Sequence, residues 1–426
     1  MSEPPRRFIY QALEPGQIRL LFSVVQGERI VWTLKTVQLR GKGGSQTPIT
    51  FDALSYTWGD QNHTFPFICN DQELRIHRNL RDALPYLARR RSSLPIWIDA
   101  VCINQSDKAE KFAQVRMMHS IYRQATQTWV WLGCGAKYSK EAIRLLPEVG
   151  RAGKEVHMKK RQLGLLICAH NSKILPRASS PIWNSIKVFT QNEWLNRLWI
   201  IQEVALAKRI RVQYEDEEID WHVFEMAVTH AGNLNEEMRN DVPPQNDTAF
   251  LAHDLVKEST DGRPWETHLL SIIRLTTDMS QCSDPRDRVF GHLGFISEDQ
   301  VHQLGLDDSM PTEELYARLT HFLLSNGPPT RQCWWDILQF ATATDKMPGL
   351  PSWCPDYHSW GRQLFSIRQI EEPVFLKNWV TDYRASTATS FPQPSNSFRE
   401  LKGQIPSIFR TIRLLSSDLI NRIVYM

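Results

Sequence analysis

The sequence predicts an α/β fold: a largely parallel sheet flanked by helices, preceded by an N-terminal β-hairpin and followed by a helical C-terminal extension. Three observations predict it. From Phe51 to about Tyr214, short apolar runs alternate with stretches of helical periodicity, the rhythm of βαβ units. Ahead of them, residues 18–39 hold two β-rich runs around Gln26-Gly27-Glu28, which reads as a hairpin. Beyond Asp220-Trp221 the texture turns mostly helical. On this reading the chain divides into a hairpin region at 1–49, an α/β core at 50–215, a helical extension at 216–359 and a weakly patterned tail at 360–426.

Each element has its own warrant. Ala53-Leu54-Ser55-Tyr56 is a short apolar run stopped by Trp58-Gly59-Asp60, as expected of a buried strand, and a small hairpin is expected around Asn70-Asp71. Asn79 is placed to cap a helix reaching Arg91. Residues 96–99 form the next strand, ending at a carboxylate. Asp107 and Glu110 look like a helix cap with an acid three residues on, and Phe112, Val115, Met118 and Tyr122 follow at helical spacing. The strand Thr128–Leu132 closes that unit. Residues 150–185, rich in Lys and Ser, read as a long exposed insertion. One helix is expected from about Glu193 to Ala207, then a strand at 209–214, a polar loop at 234–248 and a helical restart at Asp284-Pro285.

Bulk properties narrow the function classes. The 426 residues suffice for two or three structural units. A formal charge of +3, from 50 basic and 47 acidic residues, gives no electrostatic reason to expect nucleic acid or an anionic membrane as partner. The seven cysteines are odd in number and scattered, with no Cys-x-x-Cys pair, so neither a disulfide framework nor a zinc site is expected. The start MSEPPRRFIY lacks an apolar signal core, and no run approaches the roughly 20 apolar residues that cross a bilayer. A soluble cytoplasmic protein without metal is the expectation.

Four stretches carry a resemblance: ALSYTWGD at 53–60, the long run from LPIWIDAVCINQ through WVWLG at 94–133, WLNRLWIIQEVALA at 194–207, and the trailing pair DPRDRVFGHLGF at 284–295 with LPSWCPDY at 350–357. In order and spacing these resemble the heterokaryon-incompatibility (HET) domain of filamentous fungi, over roughly residues 50–357. HET domains in turn look like remote relatives of Toll/interleukin-1-receptor (TIR) domains, whose fold is flavodoxin-like. The resemblance implies self/non-self recognition signalling that triggers programmed cell death through protein partners or self-assembly. In TIR enzymes a glutamate four residues after a tryptophan carries NAD+ cleavage. The matching position is Glu203, after Trp199, so the resemblance makes Glu203 the candidate catalytic residue and NAD+ the candidate substrate, with no bound cofactor. The alternatives are a non-catalytic assembly module of the same pathway and a truncated, inactive family member.

The residues themselves leave structural readings open. On one helical wheel Trp194, Leu198, Ile201 and Ala205 form a stripe, Glu203 points nearly opposite, and no Lys or Arg within that helix lies one turn from it. A carboxylate there needs an outside partner, or its pKa rises. Asp99 ends a strand at the edge where parallel α/β sheets bind ligands, with Asn104 and Gln105 in the loop that follows. These three could hold ribose or phosphate, or could fix the loop. Tyr56, Trp58, Gly59 and Asp60 follow the first core strand as a pocket wall or as core. Arg197 could neutralise a phosphate or pair with an acid such as Asp99. Neither G-x-G-x-x-G nor a P-loop is present, which disfavours a bound redox dinucleotide.

Overall fold

The computed structural model describes residues 5–39, 49–163, 175–177, 179–234, 280–307, 309–326, 346–351 and 353–359, together with 273 and 341. The expected tail at 360–426 and nearly all of the polar loop at 234–248 lie outside the described residues. The chain forms two compact units, Met1–Glu258 and Ser259–Met426.

The first unit is built on a seven-stranded sheet. In chain order its strands are β1 (Gln17–Gln26), β2 (Arg29–Gln38), β3 (Asp52–Tyr56), β6 (Ile96–Trp97), β7 (Thr128–Trp131), β8 (Ile210–Tyr214) and β9 (Glu217–Asp220). In space they run β2-β1-β6-β3-β7-β8-β9. The central pairings β6–β3, β3–β7 and β7–β8 are parallel, and the outer ones are antiparallel. Taken alone, the parallel strands stand in the order second, first, third, fourth, which is flavodoxin-like and places a topological switch point at the carboxyl end of β3. All five residues of β3 are buried, as a strand covered on both faces must be.

The hairpin at the amino terminus is not an appendage. β1 pairs along its whole length with β2 and through Leu21 with Ile96 of β6, so it extends the central sheet. A second hairpin, β4 (Thr64–Cys69) with β5 (Gln72–His77), turns at Asn70 and Asp71, both with positive φ. The Asn70 side-chain amide accepts from Leu34 N–H (2.9 Å) and donates to Leu34 C=O (3.0 Å), while its backbone N–H reaches Trp32 C=O (3.2 Å). One asparagine therefore occupies the outer margin of β2 as a neighbouring strand would.

Two helical expectations are corrected. The supposed exposed insertion begins inside α4 (Ser139–Leu163), following α1 (Arg78–Ala88), the single-turn α2 (Asp99–Cys102) and α3 (Lys108–Gln124). In α4, Ala142, Leu146, Val149, Ala152 and Val156 recur at helical spacing and are buried; the many lysines and arginines of the segment hide that stripe in a composition count. It packs on α7 (Trp221–His230), where Gly150 comes so close to Met226 that an added Cβ would sit 2.8 Å from the Met226 Cβ. The second correction concerns the helix at 193–207. It divides into a 3-10 turn over Glu193–Asn196, capped by the Asn192 side chain, and α6 (Ile200–Ala205), separated at Arg197, whose backbone is extended (φ −77, ψ 136). The expected single stripe is therefore two short faces. α5 (Ile182–Thr190) precedes them and completes a core with Trp183, Ile186, Phe189, Trp194, Val212 and Phe224.

Capping is likewise redistributed. Asp107 caps α3 through Glu110 N–H (3.1 Å) as expected, but the Glu110 carboxylate turns to Arg19 and to the Asn104 N–H. Asn79 does not cap α1: its amide donates to Thr57 C=O and accepts from the Trp131 indole (3.0 Å), tying α1 to the ends of β3 and β7.

In the second unit, Asp284 accepts from Arg286 N–H ahead of α8 (Asp287–Phe290), and a Ser297–Gln300 capping box opens α9 (Glu298–Leu304). α10 (Thr312–Asn326) presents Tyr316 edge-on to Tyr357, with ring centroids 5.2 Å apart. The turn at 353–359 is fixed by Asp356, which accepts from Met347 N–H (3.0 Å) and His358 N–H (2.9 Å).

Candidate functional site

The carboxyl end of β3 gathers most of the chemistry singled out from the sequence. Ser55, the only hydroxyl in an otherwise apolar run before Tyr56, projects toward α6, where its Oγ donates to Glu203 Oε2 and accepts from the Trp194 indole at 2.7 Å. Arg197 Nη1 approaches the same carboxylate oxygen at 3.5 Å. The break at Arg197 explains how: an extended residue between the 3-10 turn and α6 lets its side chain fold back over the acid six positions on. Glu203 itself is only 2% exposed.

Asp99, first residue of α2, is the second acid. Its Oδ2 accepts from the Trp58 indole (2.8 Å) and its Oδ1 from the Ala100 N–H (2.7 Å). Tyr56 lies buried among these groups, with Asp99 the strongest nearby charge. Tyr122 packs alongside and donates to Leu54 C=O at 2.9 Å.

The electrostatics follow from one guanidinium serving two acids. Burial pushes the Glu203 and Asp99 carboxyls above their ordinary values, and Arg197 opposes but does not cancel the shift. Burial alone would depress Arg197; Glu203 and then Asp99 hold it above its usual value. Exposure grades outward from Glu203 to Arg197, whose side chain is 20% exposed, and to the half-buried Trp58 and Asp99.

The remaining residues singled out from the sequence fall into other places. Gly59 and Asp60 are exposed, with Asp60 accepting from Asn62 N–H (2.9 Å) and facing His63 (2.8 Å). Asn104 accepts from Ser106 N–H and Oγ (3.3 and 2.7 Å) in its own loop, and the Gln105 amide donates to Asp99 C=O (2.9 Å), bracing the turn that bears Asp99. Trp199 stands at the start of α6, its carbonyl accepting from Gln202 and Glu203 N–H. Sequence reasoning missed Ser55, Trp194 and Tyr122 as members of the cluster. The available signal for Ser55 was a lone aliphatic hydroxyl in a strand with no exposed face. Among the described residues, no group of three His, Cys, Asp or Glu side chains is arranged to hold a metal ion.

A flavodoxin-like sheet with paired acids, a guanidinium and an indole at its switch point defines an α/β module with a small polar centre. Residues 51–203 match the family model described as heterokaryon incompatibility protein (HET). It is similar to Heterokaryon incompatibility protein 6, OR allele, of Neurospora crassa, with 32% identity over 188 residues; the match covers 37% of this chain and 28% of that relative. No solved structure matches the chain.

Proposed function

We propose that this protein acts in heterokaryon incompatibility, as a cytoplasmic recognition module whose assembly, with itself or with a protein partner, triggers cell death, and that its output is NAD+ hydrolysis at Glu203. The name of the Neurospora crassa relative and the HET match support a role in heterokaryon incompatibility. The single observation that supports the second is the arrangement of Glu203 and Asp99 about Arg197 at the carboxyl end of β3, where open α/β sheets bind ligands. It resembles the TIR arrangement in placing a carboxylate at this edge.

In the proposed reaction the bond between ribose C1 and the nicotinamide nitrogen breaks, and its electron pair leaves with neutral nicotinamide. Positive charge develops on the ribose, where an ionised Glu203 stabilises it; water then adds to C1 and loses a proton, giving ADP-ribose. Arg197 favours the ionised form, and Trp58 offers a partly exposed aromatic face beside Asp99. Access to Glu203 requires the long Arg197 contact, 3.5 Å, to open.

A second reading is favoured by the 2% exposure of Glu203 and its engagement by Ser55 and Arg197: a structural polar network in a module that signals by assembly alone. Nicotinamide release by the full chain, concentrated or fused to a dimerising tag, separates the two. Release that is lost in Glu203→Gln, with circular dichroism unchanged, is the outcome expected. Assembled wild type that releases none leaves assembly as the function.

A further inference from the structure

The turn that carries Asp99 is held from outside the matched HET segment. α2 is a single turn, and its last carbonyls have no helical N–H to accept. Two side chains supply the missing donors: the Tyr10 hydroxyl donates to Val101 C=O (2.9 Å) and Arg19 Nη1 to Cys102 C=O (2.9 Å). Arg19 is itself fixed by Glu110, lies 4.7 Å over the Tyr10 ring, and donates through Nη2 to Gln11 C=O.

Tyr10 arrives on an exposed strap. Residues Arg6–Gln11 run beside β5, held there by Phe8 N–H to Glu73 C=O (2.8 Å), Glu73 N–H to Arg6 C=O (2.7 Å) and Ile9 N–H to the Gln72 side chain (3.1 Å). Few buried contacts hold the strap: Ile9 is 76% exposed, and Phe8 and Tyr10, in edge-to-face contact at 4.9 Å, are its half-buried residues. Such a segment opens at low cost relative to the core. Its inner end nevertheless terminates two residues from Asp99.

We infer that Tyr10 is a positioning residue of the candidate site: by accepting no part in the site and donating to Val101 C=O, it fixes the α2 turn and through it the Asp99 carboxylate against Trp58. The inference rests on the proposed site but not on the reaction assigned to it. It makes the segment before residue 51 part of the working module rather than a leader to it.

The test is Tyr10→Phe in the full chain, which deletes one hydroxyl and keeps the ring. The first readout is the 1H–15N signal of the Trp58 indole, assigned by its disappearance in Trp58→Phe, because that N–H is bonded to Asp99. The signal is expected to move in Tyr10→Phe while the melting temperature falls by no more than ~4 °C, the share of one net hydrogen bond; a hydroxyl with a merely structural role would lower the melting temperature and leave the signal in place. The second readout is nicotinamide release, where kcat is expected to fall about fivefold, the worth of one net hydrogen bond, with KM little changed. A Trp58 signal that does not move overturns the inference. A moved signal in a protein whose wild type releases no nicotinamide sustains the inference and removes NAD+ hydrolysis alone.

Discussion

Arg19 offers the most demanding test of the way this module is held together. Its side chain is 4% exposed and that of Glu110 10%, and they meet as two parallel contacts, Nη1–Oε1 at 2.7 Å and Nη2–Oε2 at 3.0 Å. Arg19 also serves Cys102 C=O and Gln11 C=O, while Glu110 also accepts from Asn104 N–H. Arg19→Met keeps most of the stem and removes every one of those donors, leaving a nearly buried carboxylate with one backbone N–H. Breaking a buried pair by deleting one partner costs about 3–5 kcal/mol. For a unit of this length about 1 kcal/mol moves the melting temperature by roughly 2–4 °C, so a drop of ~10 °C is expected. Urea unfolding of wild type, Arg19→Met, Glu110→Gln and the double variant closes a cycle in which the coupling exceeds ~1 kcal/mol, because the second substitution relieves the uncompensated charge left by the first. Destabilisation of Arg19→Met below about 1 kcal/mol, with additive single variants, would refute the reasoning from desolvation.

Three further outcomes are expected. Ser55→Ala strips a partner from both the Trp194 indole and Glu203 in a buried setting and should cost about 2 kcal/mol in chemical denaturation; a loss near zero means that water enters to replace it. Burial holds Glu203 above its ordinary 4.5, so the folded chain keeps a proton that the unfolded chain has released. Stability from this group is therefore full below 4.5 and is lost as pH rises through the folded value; melting temperatures of wild type should fall relative to Glu203→Gln over that window, and a difference independent of pH contradicts the shift. Gly153→Ala drives a Cβ into the His230 carbonyl across the α4–α7 contact, and despite the better helix propensity of alanine it should destabilise by ~1–2 kcal/mol in urea, whereas a gain shows that the helices separate freely.

The legible parts of the fold were those with short, strong periodicity. The strands at Asp52–Tyr56, Thr128–Trp131 and Ile210–Tyr214 could be read from apolar runs between stops, and their parallel order follows from helices of crossover length between them. What misled was averaging. Composition over 150–185 concealed the buried stripe of α4, and continuous apolarity over 193–207 concealed a break at Arg197 that no local propensity announces. For the site, Tyr56 and Trp58 could be placed from the end of their strand, Asp99 was placed at a strand end but opens α2, and Glu203 entered through the family resemblance with Arg197 nearby in sequence. Ser55 and Trp194 could not be placed, because their roles depend on a contact spanning 139 residues of chain. Asn104 and Gln105 illustrate the converse: polar loop residues beside a ligand edge that spend their groups on the loop itself.

The Asn70 clamp bears on how copies of this protein could join. Unsatisfied strand borders invite a second sheet to zip on, and here the border formed by β2 already has the Trp32 carbonyl engaged by the Asn70 N–H and both backbone groups of Leu34 engaged by the Asn70 side chain. A second copy approaching that flank finds a plug instead of a template. Replacing the asparagine would unstopper the flank, which makes position 70 a guard against edge-to-edge polymerisation.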